Sequence, residues 1–107
     1  MLYDNFLCVI CDKSKLDLRG CNGSPDFIIE ILSPSNSKVD LKDKYELYQL
    51  NGVSEYWIVF AQDKIIQQFV LSNEKYLLHK VYDDQDIATS CLFPELQITL
   101  VDVFEEI

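Results

Sequence analysis

The chain is short of the residues that loosen or punctuate a backbone, with three Gly and three Pro in 107 residues. That scarcity excludes collagen-like and linker-type chains and speaks against disorder. No internal repeat or low-complexity segment is visible, so a solenoid or array is excluded as well. Basic residues are scarce too: nine Lys and Arg stand against 18 Asp and Glu, with one His, for a net charge of −9. A protein that grips nucleic acid through a broad basic surface is thereby disfavoured. An enzyme that meets nucleic acid through divalent metals is not, because the ions offset local carboxylate charge. No apolar run approaches the ~20 residues of a membrane span, and no basic-then-apolar leader follows Met1. A cytoplasmic location with no membrane partner is the expectation. The four cysteines, Cys8, Cys11, Cys21 and Cys91, then read as free thiols buried in strands. Cys8 and Cys11 have CxxC spacing, but the second pair that a zinc site needs is missing.

What is present is a core. Hydrophobic residues make up 49% of the chain, enough for one domain over 1–107. NFLCVIC, residues 5–11, reads as an interior strand, and 12–24 as a loop rich in turn chemistry. Residues 26–32 form a second strand, and SPSNS at 33–37 offers N-cap residues for a helix over 38–51 that stops at Asn51-Gly52. A strand over 55–60 is followed by a meander, with strands at 64–72 and 75–82 joined by Gln62-Asp63 and Asn73-Glu74 turns. An exposed acidic loop at 83–86 precedes a short strand at 88–93, then a closing strand and one helical turn. This order predicts an α/β (α+β) fold with a mixed sheet and one main helix.

Two placements break the pattern. PDFIIEIL, residues 25–32, is an interior strand except for Glu30, and an ionised carboxylate buried without a partner is costly. In the helix, a wheel of ~100° per residue centred on Lys44 puts Tyr48 at about +40°, Leu41 at about +60°, Leu47 at about −60° and Asp40 at about −40°. Lys42, Asp43, Glu46 and Gln49 take the far side, so Asp40 and Lys44 lie on the apolar face. A surface Asp–Lys pair four residues apart explains this as well as an inward-facing ammonium does. With only a short loop between strand and helix, Glu30 and Lys44 are expected to meet, and Glu30 to face a metal ion, Lys44 or both. Asp26 shares a strand face with Glu30, yet at ~3.3 Å per residue it lies ~13 Å away. Ligands of one Mg²⁺ sit ~2.1 Å from it, so a second ligand should come from the strand at 5–11.

The stretch SPDFIIEILSPSNSKVDLKDKYELYQLNGVSEYWIV resembles the signature of the putative restriction endonuclease family, within the PD-(D/E)XK nuclease superfamily. Pro25, Asp26, Glu30, Ser33-Pro34-Ser35, Asp40, Lys44, Tyr48, Gly52-Val53 and Glu55-Tyr56-Trp57 carry the resemblance, and LFPELQITLVDVF resembles the family's closing segment. The match runs from about residue 9 to the end of the chain. It implies a restriction-endonuclease-like mixed sheet and a Mg²⁺- or Mn²⁺-dependent phosphodiesterase with DNA as substrate. In that scheme Glu30 is the acidic residue and Lys44 the lysine, and metal activation of water drives hydrolysis.

Two departures follow from the same comparison. Alignment on Val9-Ile10-Cys11-Asp12 puts Asn5-Phe6 where the family carries its metal-binding Pro-Asp. Asp4 keeps the strand parity but is displaced by ~7 Å. The family's N-terminal part, with a further active-site acidic residue, is absent, so the chain is expected to be a truncated member. Metal ligands are therefore expected at Glu30, with Asp26 and Asp4 as weaker candidates, and hydrolysis is expected to be impaired or absent. The rival readings are a catalytically dead nuclease-fold module serving binding or assembly, and a small sheet protein with a purely structural Glu30–Lys44 pair. An uncovered sheet face or edge leads to an expected homo-oligomer. His79 reads as a surface strand residue, and Tyr45, Tyr48, Tyr56 and Trp57 as core with polar tips.

Overall fold

A computed structural model describes residues 5–10, 16–17, 20–21, 23–32 and 38–102, and the side chains of 23–32 and 41–102. The elements run β1 (Asn5–Ile10), β2 (Leu16–Asp17), β3 (Gly20–Cys21), β4 (Phe27–Leu32), α1 (Lys38–Leu50), β5 (Glu55–Phe60), β6 (Ile65–Ser72), β7 (Lys75–Tyr82), β8 (Ile87–Thr89) and β9 (Gln97–Thr99). Five strands form one sheet in the order β1-β4-β5-β6-β7. Only β4 and β5 run parallel, and the other three pairs are antiparallel. A parallel pair needs a long crossover, which α1 supplies. The fold is the mixed α+β class that the sequence predicts.

The period of two in β4 and β5 splits their side chains between two cores. Ile28, Leu32, Val53, Tyr56, Ile58 and Tyr76 are buried on the face that α1 covers with Leu41, Tyr45 and Tyr48. Phe27, Trp57, Val59, Ile66 and Tyr82 are buried on the opposite face, against Ala88, Leu100, Phe93, Leu96 and Ile98. The second face, which one helix could not cover, is thus packed against the C-terminal segment.

Turn chemistry sets the element ends. Val53 N–H donates to Tyr48 O at 3.1 Å and Gly52 N–H to Gln49 O at 3.2 Å. Gly52 has φ +74°. This is a Schellman end, with the conformation that only glycine adopts freely. Asn73 and Glu74 both have positive φ, 51° and 68°, as a two-residue type I′ hairpin requires.

Three elements differ from expectation. Lys64 has φ 58° and so belongs to the turn, and β6 starts at Ile65. The loop over 12–24 contains the two-residue strands β2 and β3. The strand expected over 88–93 ends at Thr89, because Ser90, Cys91 and Leu92 turn their donors toward Glu55. Cys91 is exposed rather than buried in a strand. The acidic loop is a tight turn, with Asp83 N–H on Asp86 Oδ2 and Gln85 N–H on Asp83 Oδ1, both at 2.8 Å. Asp84 and Asp86 are half-buried in it. The N-cap segment 33–37 lies outside the described residues.

At the β7 edge of the sheet, Tyr76 N–H donates to Gln49 Oε1 at 2.7 Å, and Tyr45 Oη reaches Tyr76 O at 3.5 Å. The helix therefore covers one end of that edge, and a register shift between Gln68 and Phe69 distorts the pairing farther along. Covering that end blunts part of an exposed strand edge.

Candidate functional site

Glu30 stands in the middle of an interior strand, paired with Leu7 of β1 on one side and Ile58 of β5 on the other. It shares its face with Ile28 and Leu32, under the helix, and is completely buried. Lys44 descends from the apolar side of α1 and places Nζ 2.6 Å from Glu30 Oε2. The Glu30 side chain is 1% exposed and that of Lys44 27%, so the carboxylate lies inside and the ammonium spans the boundary. Tyr56, two residue pairs away on β5 and on the same face, donates its hydroxyl to Glu30 Oε1 at 3.0 Å. Removing a carboxylate from water costs several kcal/mol, and a charged partner plus a good donor offsets that only when both stay in place.

The tyrosines fix this arrangement. The Tyr56 ring lies 5.1 Å from Tyr48 and 6.4 Å from Tyr45, both edge-on. Burial, and next the negative charge of Glu30, push the Tyr56 phenol far above the ordinary tyrosine range. Raised in this way, the Tyr56 hydroxyl stays a proton donor to Glu30 at neutral pH. Tyr76, whose hydroxyl donates to Val53 O at 2.7 Å, is raised mainly by burial.

The structure brings Glu30 and Lys44 together and adds Tyr56. It does not bring Asp26 to them: Asp26 precedes β4, its carbonyl accepts from Glu55 N–H at 3.1 Å, and four residues of strand separate it from Glu30 by ~13 Å. Asp4 and the side chain of Asp40 lie outside what the structure describes. His79 is exposed on β7, on a strand that does not carry the site. Among the described residues the donor set falls short of what a divalent metal takes. Glu30 brings one carboxylate, both of its oxygens already hold donors of the chain, and among the described residues no three His, Cys, Asp or Glu side chains gather around a common point. Mg²⁺ prefers carboxylates plus water in an octahedral array.

A second buried carboxylate escapes sequence reasoning. Glu55, 1% exposed, lies on the opposite sheet face. Its Oε2 accepts from Trp57 Nε1 at 2.6 Å, Gln68 Nε2 at 2.7 Å and Cys91 N–H at 3.2 Å. Its Oε1 accepts from Ser90 Oγ at 2.8 Å and Leu92 N–H at 2.9 Å. Five donors on one carboxylate tie the C-terminal segment to the central strand. The available signal was parity: Glu55 alternates with Trp57 and Val59 on a strand buried on both faces.

A mixed sheet whose single parallel crossover aims a glutamate and a lysine at one buried spot defines a nuclease-like α+β protein. The model of the Uma2 family, described as putative restriction endonuclease, matches residues 7–101, and the chain belongs to that family. Its fold is similar to the crystal structure of a putative nuclease belonging to DUF820 from Anabaena variabilis ATCC 29413, with 21% identity and a TM-score of 0.65 over 86% of this chain and 54% of that one. At that identity the likeness concerns the fold, and the chain spans about half the length of that structure. No curated protein matches the chain. Among the described residues no helix is long and apolar enough to cross a membrane.

Proposed function

We propose that the chain carries the glutamate–lysine half of a restriction-endonuclease centre, with DNA as the substrate class, and that its own phosphodiester hydrolysis is impaired or absent. The observation that carries this is the 2.6 Å contact between Lys44 Nζ and the buried Glu30 Oε2. It supports the reading because it joins an acid and a lysine, from a strand and the helix that follows it, as the family resemblance implies. The partly exposed ammonium can sit against a phosphate oxygen and hold a water in line for attack. Glu30, its side chain 1% exposed and its oxygens occupied, is poorly placed to accept a proton from that water or to hold the metal that the family chemistry uses.

The test is a supercoiled-plasmid nicking assay in Mg²⁺ and in Mn²⁺, with Glu30→Gln and Lys44→Ala alongside, plus fluorescence anisotropy with a duplex oligonucleotide at low salt. Weak binding with trace or no nicking is the expected result. Vigorous cleavage abolished by Glu30→Gln contradicts the impairment, and cleavage indifferent to both substitutions contradicts the site. No binding to duplex at tens of micromolar protein contradicts DNA as the substrate class. Self-association belongs to the same proposal. Pairing with a second copy would use β7 beyond Tyr76, where Leu77, Leu78 and Val81 are exposed, and a purely monomeric sedimentation profile sinks that part.

A further inference from the structure

Each oxygen of Glu30 is taken by a donor of this chain: Oε2 by the Lys44 ammonium at 2.6 Å and Oε1 by the Tyr56 hydroxyl at 3.0 Å. The two donors come from different elements, α1 and β5, and both elements are anchored independently of Glu30. The helix is tied to β7 by Gln49 and Tyr45, and β5 is the central strand of the sheet. We infer that Lys44 and Tyr56 together close Glu30 to divalent metals, with Lys44 as the built-in cation and Tyr56 as the positioning residue that holds the carboxylate in the orientation that meets it.

The register makes Tyr56 suited to this. Tyr56 pairs with Ile28 and Ile58 pairs with Glu30, so Tyr56 is the diagonal same-face neighbour of Glu30, within reach of a long side chain. Its ring is wholly buried and wedged against Tyr48, Tyr45 and Phe69. The hydroxyl therefore has little freedom to seek another acceptor. Rotating the carboxylate to meet an incoming ion would strip the fully buried Tyr56 hydroxyl of its partner. A metal also needs lone pairs that point to a common centre with room for coordinated water, and the ammonium stands 2.6 Å from Oε2. The inference deepens the proposed reading, and rests on it in taking this spot as the family's catalytic centre.

The experiment is a Mn²⁺ titration of the full chain, followed by calorimetry and by paramagnetic relaxation of water protons. It compares wild type, Lys44→Met, Tyr56→Phe, and each of these combined with Glu30→Gln. Wild type is expected to show no Glu30-dependent binding tighter than millimolar. Lys44→Met should gain at least tenfold in affinity, and Glu30→Gln should remove the gain. Tyr56→Phe leaves the ion pair in place and should gain less, and it decides the matter if circular dichroism shows Lys44→Met unfolded. Submillimolar binding by wild type that Glu30→Gln abolishes overturns the inference. So does a folded Lys44→Met or Tyr56→Phe chain that gains nothing. Cleavage is not the readout, so a failure of the nuclease reading, seen as no affinity for duplex DNA, is distinguishable from these outcomes.

Discussion

Two glutamates on adjacent strands do opposite jobs, and the difference lies in their partners. Among the described residues Glu30 meets one cation and one phenol under the helix, whereas Glu55 collects five neutral donors on the far face. Glu30 was legible in the sequence because it interrupts an apolar run and a lysine on the next helix lies on the wrong side of the wheel. Glu55 was not, because it opens its strand, where a charge is unremarkable, and its partners Ser90, Cys91 and Leu92 are 35 to 37 residues away. Glu55→Ala leaves those buried donors unsatisfied and should cost about 3 kcal/mol or more, read by urea denaturation. Glu55→Gln should cost less, because one amide oxygen still accepts. The tyrosines set a pH limit. Tyr56 and Tyr76 keep their protons in the folded chain well above the usual value of 10.0, whereas the unfolded chain releases them near that value. Above about pH 10 the unfolded state therefore binds fewer protons, and stability falls as pH rises. Thermal melts between pH 8 and 11 should show the loss setting in near pH 10, and Tyr76→Phe should reduce its slope.

Element boundaries were legible wherever local chemistry decides them. β5 and β7 lie where the alternation and the turn residues put them, and α1 stops at a glycine that accepts φ +74°. Gly52→Ala meets no atom within 4 Å, so its cost is conformational, about 1 kcal/mol. A denaturation midpoint that did not move would show the helix end to be less constrained than its two capping hydrogen bonds imply. The misplaced elements are those decided at a distance. Residues 90–93 have the apolar content of a strand but are drawn out of one by Glu55. The turn before β6 took in Lys64, whose left-handed conformation no local signal announces.

For the whole molecule, the mixed sheet and the crossover followed from the order of elements, but what covers the second face did not. The C-terminal segment was read only as a strand and a turn, because nothing local says that Leu96, Ile98 and Leu100 pack against Phe27 and Trp57. That covering leaves the helix side as the face with a charged pair at its centre, and the account of the site depends on that pair. A double-mutant cycle on Glu30→Gln and Lys44→Met, by urea denaturation, measures it directly. The account predicts a coupling of about 1–3 kcal/mol, as for groups in one buried network. Effects that add to within about 0.5 kcal/mol would mean that the carboxylate and the ammonium do not hold each other, and would contradict it.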